Sequence, residues 1–270
     1  MDLPLPEVAL SFDSRAGNYA RNEWHRRYAE RLVALARLRP GDRVLDAGTG
    51  TGFAALAAAR AVGPAGRVLG VDISPGMLRQ AARAAVGLAN LEWHEGDALH
   101  LPQFSAGAFD AILCASALLY MPAHDALREW RRLLRPEGLV AFSTMRAGAP
   151  AAARIFRECA NEFGVTLHDP SEMLGSEPAC RRALETAGFA VVNVVSETVD
   201  FTDRDLTLAW ESNFWSAANS AVQRLGAAEQ RALERLYLDA LARSARENPR
   251  QLSQADVLYA FGRPTKLAGR

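Results

Sequence analysis

The sequence predicts an α/β protein: a doubly wound, mostly parallel sheet of seven strands, covered by helices on both faces and carrying a helical lid. Three observations predict it. Short apolar runs alternate with amphipathic or alanine-rich stretches along most of the 270 residues. A glycine-rich turn, Gly48-Thr49-Gly50-Thr51-Gly52, directly follows the first apolar run. Two further stretches, 146–174 and 201–253, carry extra chain between later strand-like runs.

Residues 15–38 read as an amphipathic helical lead-in, with Tyr28, Leu32, Leu35 and Leu38 near helical spacing. Strands are expected near 43–46, 67–72, 91–94, 109–114, 138–144, 189–195 and 256–262. Helices fall between them. One starts at Phe53. Another runs from Pro75 to Val86, with Ser74 as N-cap and Pro75 at the first helical position, where a missing N–H costs nothing. A third covers Cys180 to Ala187 and is stopped by Gly188. No internal repeat or low-complexity tract appears.

The glycine turn carries the chemistry. Glycines let the backbone approach a ligand where a side chain would collide, and the helix that follows points its first amides at whatever sits over the turn. Asp72, ending the second run, stands where a carboxylate accepts ribose hydroxyls, so the segment predicts an adenosine-bearing cofactor. A dinucleotide fold wants Gly-x-Gly-x-x-Gly, but Phe53 occupies the third glycine's place. Asp46 before the first glycine suits a cationic amino-acid end better than a phosphate.

Val44-Leu45-Asp46-Ala47-Gly48-Thr49-Gly50-Thr51-Gly52 resembles the loop of the class I S-adenosylmethionine (AdoMet) methyltransferases, acidic-x-Gly-x-Gly-x-Gly, which cradles the methionine part. The likeness continues through Glu95-Gly96-Asp97-Ala98, Phe109 to Cys114, Ala115 to Tyr120 and Leu133 to Val140, where Glu137 replaces the first glycine of a common Pro-Gly-Gly turn. The resemblance implies a Rossmann-like sheet whose last strand inserts antiparallel, with AdoMet as cofactor and S-adenosylhomocysteine as product. It implies that Asp46, Gly48, Thr49 and Gly50 hold the methionine part, that Asp72 holds the ribose, and that Ile73 and Met77 also belong to the cofactor site. Asp97 and Ala98 meet the adenine, and Cys114 and Ser116 pass the methionine end.

Ser11-Phe12-Asp13-Ser14-Arg15-Ala16-Gly17-Asn18-Tyr19 is similar to the opening of the ubiquinone and menaquinone C-methyltransferase group, with Tyr19-Ala20 in place of a Tyr-Asp pair. Tyr19 and Trp24 could then close over the sulfonium, since an aromatic face or a hydroxyl oxygen attracts that cation. In minimal members of the family the two long connections are shorter. The implied organisation is therefore an N-terminal helical cap (1–40), an AdoMet-binding core (41–145, continued at 175–200), a lid segment (146–174), a helical substrate lid (201–253), and a last strand and tail (254–270).

Methyl transfer from a sulfonium is an in-line displacement, so positioning supplies most of the acceleration and a base is optional. Candidate bases are His25, Tyr120, His124 and His168, the last beside Asp169, which could orient it. Tyr19 and His168 are taken as the catalytic pair, with Tyr120, Trp210 and Phe214 toward the acceptor. Packing of the lid onto the sheet is the competing role for the aromatic residues. No ligand spacing points to a metal.

Formal net charge is zero with 31 residues of each sign, which gives no bulk attraction to a nucleic-acid backbone or anionic membrane. Cys114-Ala115-Ser116-Ala117-Leu118 also lacks the Asn/Asp-Pro-Pro-aromatic signature of amino-methylating nucleic-acid enzymes. No apolar run approaches the roughly 18 residues of a membrane span. The three cysteines have no close partner, and a reducing cytoplasm fits best. The expected function is methylation of a small, mainly apolar metabolite, such as a quinone precursor, polyketide or other natural product. C-, O- and N-transfer and the oligomeric state stay open. Two competing readings are an AdoMet-binding enzyme that does not methylate, such as a cyclase, and a nicotinamide oxidoreductase.

Overall fold

The computed structural model describes residues 5–19 and 21–265; residues 1–4, Ala20 and the expected tail at 266–270 lie outside the described residues. The single lead-in expected over 15–38 is two helices, α1 (Leu5–Tyr19) and α2 (Glu23–Ala36). They separate because they pack on different partners. The apolar stripe of α2, Tyr28, Leu32, Val33 and Ala36, is buried against one face of the sheet, whereas α1 buries Val8 and Ala16 and lies on a later helix.

Then follow β1 (Arg43–Ala47), α3 (Phe53–Val62), β2 (Arg67–Asp72), α4 (Pro75–Ala84), β3 (Leu91–Glu95), β4 (Phe109–Ala115), α5 (Ala123–Leu133) and β5 (Leu134–Met145). The second half adds α6 (Ala151–Asn161), α7 (Glu177–Thr186), β6 (Phe189–Asp200), α8 (Asp203–Thr207), α9 (Ala209–Phe214), α10 (Ala227–Glu247), α11 (Pro249–Ser253) and β7 (Gln254–Pro264). The seven strands lie in the order β3-β2-β1-β4-β5-β7-β6. The first five are parallel, and β7 inserts antiparallel to both β5 and β6, as the resemblance implied.

Two strands outrun expectation by four residues or more at one end. The fifth starts at Leu134 because the Pro136-Glu137-Gly138 turn is absorbed as a bulge: Phe109 pairs with Leu134 and Ala111 with Leu139. The sixth runs to Asp200 because its polar second half still pairs with β7, residue by residue, to Gln254.

Alternate residues of each strand feed opposite cores. Leu45, Val71, Ile112 and Phe142 point into one, and Val44, Val68, Leu113 and Tyr259 into the other. A third core, around Ile155, Phe156, Phe214, Leu233 and Tyr237, joins α6 to α9, α10 and α11, so the two long connections form one helical layer. No helix among the described residues is long and apolar enough to cross a membrane.

The chain leaves β1 toward β2 and β3 on one side and returns to β4 and β5 on the other. A crevice therefore opens beyond the carboxyl ends of β1 and β4, the place where open parallel sheets bind ligands.

Candidate functional site

Beyond Ala47 the chain reverses through three glycines with positive φ, the region an L side chain rarely enters. Two of them answer to different neighbours. A Cβ on Gly52 would stand 2.7 Å from the Trp93 ring, so this glycine is required by the protein's own packing. A Cβ on Gly50 would meet nothing within 4 Å, and Gly50 lines the crevice; its open space is the kind a ligand fills.

Asp46 holds this loop from beneath. Its Oδ2 accepts from the Thr49 hydroxyl at 2.6 Å and from the Ala55 amide at 3.0 Å. Its Oδ1 is buried with no partner among the described residues. Burial pushes this carboxyl up to about 7, against the pull of those two hydrogen bonds. Neither Asp46 nor Thr49 lines the crevice; they lie beneath the loop and hold its shape. Cys114 does not line it either: its thiol is fully buried in the core, which raises its pKa far out of the physiological range.

The other residues expected around the cofactor do converge. Tyr19, Gly48, Gly50, Asp72, Ile73 and Met77 line the crevice, and Asp97, Ala98 and Ser116 complete it. Asp72 accepts from the Gly50 amide at 2.7 Å through Oδ2 and from the Ser74 amide at 2.9 Å through Oδ1. Each carboxylate oxygen has a second lone pair, so both remain able to accept a ribose hydroxyl. Burial raises the Asp72 carboxyl, and three backbone amides hold the rise down. Asp97 Oδ1 accepts from the Leu99 amide at 2.9 Å. The residues present thus fit an adenosine with a cationic methionine tail.

A second cavity of about 460 Å³ lies between α1, α2 and the helical layer. It meets the crevice at Phe12, Tyr19, Ser116 and Tyr120, which line both. Ser116 stands there with φ 53, a left-handed conformation uncommon for a side chain other than glycine and often found at functional sites. Tyr19 stacks on His25 with ring centroids 4.4 Å apart, and Phe12 meets Tyr120 edge-on at 5.3 Å. Burial pushes the Tyr19 phenol up to about 12, so it stays protonated. Burial, with the Arg15 cation nearby, takes His25 down to about 3, so the ring stays neutral. Trp24 lines this cavity rather than the crevice.

Three expected site residues are not at this junction. His168 is exposed and lines neither space. Its supposed orienter, Asp169, is engaged elsewhere, accepting from the Gly148 amide at 2.6 Å and the Ser171 amide at 2.9 Å and pairing with Arg157 at 3.2 Å. Trp210 and Phe214 stack on each other at 5.0 Å and pack with Phe156 and Tyr237 in the third core. Their neighbours Glu211, Ser212, Asn213 and Trp215 line the cavity instead, because a short helix turns one face inward and the other to the wall. His124 is exposed.

Sequence reading missed Arg15, Asn22 and Asn213 as lining residues, and Asp13 as a tether. Asp13 and Arg15 both lie in the segment 11–19, but the groups they face are far along the chain, and Asn22 and Asn213 carry no short-range signal.

Residues 44–138 match a family model described as a methyltransferase domain. The chain is 33% identical over 216 residues to nocamycin O-methyltransferase of Saccharothrix syringae, covering 71% of this chain and 75% of that one. It is 30% identical over 208 residues to demethylmenaquinone methyltransferase of Staphylococcus aureus, covering 71% and 85%. A Haloferax volcanii methyltransferase solved in complex with the Trm112 methyltransferase activator shares the fold, with a TM-score of 0.61 and 23% identity over 97% of this chain and all of the other.

Proposed function

This chain belongs to the class I AdoMet-dependent methyltransferases, and from that premise we propose that it methylates a small, mainly apolar metabolite held in the 460 Å³ cavity. The observation that carries this reading is the junction: Phe12, Tyr19, Ser116 and Tyr120 wall both the crevice and the cavity, so a ligand in one faces a ligand in the other. Bound in the crevice, AdoMet supplies an electrophilic methyl group on a sulfonium.

The chain's own residues do the remaining work. Gly50 leaves room for the methionine tail, Asp72 accepts the ribose hydroxyls and Asp97 faces the adenine. Tyr19, a neutral phenol on α1, covers the junction and offers a hydroxyl oxygen or ring face to the sulfonium. Covering the junction excludes water and holds the acceptor in line, which is where most of the rate advantage of such a displacement arises.

The relatives named for nocamycin and demethylmenaquinone support a natural-product or quinone-like acceptor. Zero net charge supports a small molecule over nucleic acid. Three free, buried cysteines, Cys114, Cys159 and Cys180, support a reducing cytoplasm. Residues 146–174 and 201–253 serve as one lid over the acceptor, and α1 with α2 as the cap.

The test is incubation with methyl-labelled AdoMet and a cell extract fractionated by size and polarity. Label in a small, solvent-extractable compound, with release of S-adenosylhomocysteine, is the expected result. Label in nucleic acid or protein overturns the acceptor assignment, and an altered small molecule without S-adenosylhomocysteine release points to a cyclase.

A further inference from the structure

We propose that the acceptor carries a negatively charged oxygen, as a carboxylate or an acidic enol does, and that Arg15 is the residue that selects it. This rests on the reading of the larger cavity as the acceptor site.

Three polar atoms on one part of that cavity wall are buried and have no hydrogen-bond partner among the described residues: Arg15 Nη2, Asn22 Oδ1 and His25 Nδ1. A buried polar atom without a partner favours a ligand that supplies one, an acceptor for Arg15 Nη2 and a donor for Asn22 Oδ1. Arg15 sets the sign of that ligand. It is donor-only and permanently charged, and its one hydrogen bond runs from Nε to the Ser11 carbonyl at 3.2 Å. No carboxylate of the described residues lies within 4.0 Å of it.

The other charges of the wall do not answer it. Arg157 and Asp169 are paired with each other at 3.2 Å, and Glu211 stands exposed at the rim. Arg15 also sits at the junction itself, with its guanidinium carbon 4.6 Å from the Phe12 ring centroid and 6.0 Å from that of Tyr19. An anionic oxygen bound by Arg15 is therefore held beside two of the rings that wall the crevice, Phe12 and Tyr19.

The chemistry of the junction agrees. A neutral alcohol must lose a proton to attack a methyl group, but Tyr19 stays protonated and His25, disfavoured as a cation by burial and then by Arg15, is a poor proton acceptor. An acceptor that arrives deprotonated needs neither. Its oxygen lone pair forms the bond to the methyl carbon as the carbon–sulfur bond breaks, the electron pair stays on sulfur, and no proton moves. Anion and sulfonium leave as two neutral groups.

The test measures binding of three probes in the presence of S-adenosylhomocysteine: 2-naphthoate, the acidic enol 2-phenyl-1,3-indandione, and neutral 2-naphthalenemethanol. Wild-type protein should prefer both acids over the alcohol by at least about tenfold. Arg15→Met should abolish that preference and Arg15→Lys should keep part of it, with S-adenosylhomocysteine affinity changed less than threefold in both. Equal binding of acids and alcohol by wild type, or a preference that survives Arg15→Met, overturns the proposal. Ala153→Trp, which fills the cavity from α6, separates the two levels. If it blocks acids and alcohol alike while wild type shows no preference, the acceptor site stands and the anion selection falls. If it leaves every probe's binding untouched, the cavity assignment falls and the proposal with it.

Discussion

The carboxylate of Asp13 accepts a hydrogen bond from the Gly76 amide at 2.6 Å, and the same oxygen accepts from the Ser74 hydroxyl at 2.6 Å. A Cβ on Gly76 would stand 2.5 Å from that oxygen, so the contact is as close as glycine permits. α1, which carries Phe12, Arg15 and Tyr19, is thereby tied to the first turn of α4 at the edge of the crevice, where a carboxylate also meets the positive end of the helix dipole.

Asp13→Ala removes both hydrogen bonds. Losing two bonds to a charged acceptor costs about 2–4 kcal/mol of docking energy. AdoMet affinity should fall about tenfold or more, and protease should cut within α1 faster than in wild type. Calorimetry and limited proteolysis read the two effects; wild-type affinity with wild-type cleavage would show that α1 needs no tether. Gly76→Ala should act in the same direction, by steric displacement.

Asp72→Ala should weaken AdoMet by about 1–3 kcal/mol, the scale for leaving buried ribose hydroxyls unpaired. The same change also frees the Gly50 amide, so Asp72→Asn, which keeps one acceptor, should lose less. Gly50→Val should abolish cofactor binding, since its Cβ enters open space lining the crevice; the positive φ of 55° there also strains a branched residue, so the melting temperature is read alongside the affinity. Unchanged affinity in folded Asp72→Ala would remove the ribose assignment.

Asp46 makes the ligand-free protein sensitive to pH. Its carboxyl is raised by burial from the ordinary carboxylate value to about 7 in the folded state. A raised folded pKa means that the contribution to stability is fully present below about pH 4 and is lost as pH rises through about 7. Asp46→Asn keeps an acceptor for Thr49 and Ala55 and removes the charge. Wild type should therefore lose stability relative to this variant between pH 5 and pH 8, by an amount on the order of a few kcal/mol. Denaturant titrations at the two pH values decide it, and parallel stability curves for the two proteins would mean that Asp46 is charged and solvated as usual.

Phe214→Ala should cost about 3–5 kcal/mol of stability, as for a buried aromatic removed from a core. Its effect on acceptor KM should be small compared with that of Ser212→Trp, which intrudes on the cavity directly. A selective rise in KM at an unchanged melting temperature would return Phe214 to the acceptor site.

The sequence alone was enough for the sheet and for most of the crevice because both are written in short-range patterns. Strands of a parallel sheet are apolar runs bounded by turns, and Gly48 to Gly52, Asp72 and Asp97 lie at the ends of such runs, where chain order and spatial order coincide. Even there, the spacing could not tell Gly50, which opens on the crevice, from Asp46 and Thr49, which sit beneath it; direction depends on how the loop closes over Trp93 and Ala55.

The second cavity was decided by tertiary packing. Arg15 and Asn22 share the cavity wall with Ser212 and Asn213, and Asn22 donates to the Ser212 hydroxyl at 3.2 Å across 190 residues of chain. Composition placed Trp210 and Phe214 toward a ligand, yet a short amphipathic helix presents one face to each side, and which face looks inward depends on its partner. Here the partner is the core of Phe156 and Tyr237, a contact between segments that no local rule relates. It takes the aromatic rings and leaves the polar face to the cavity.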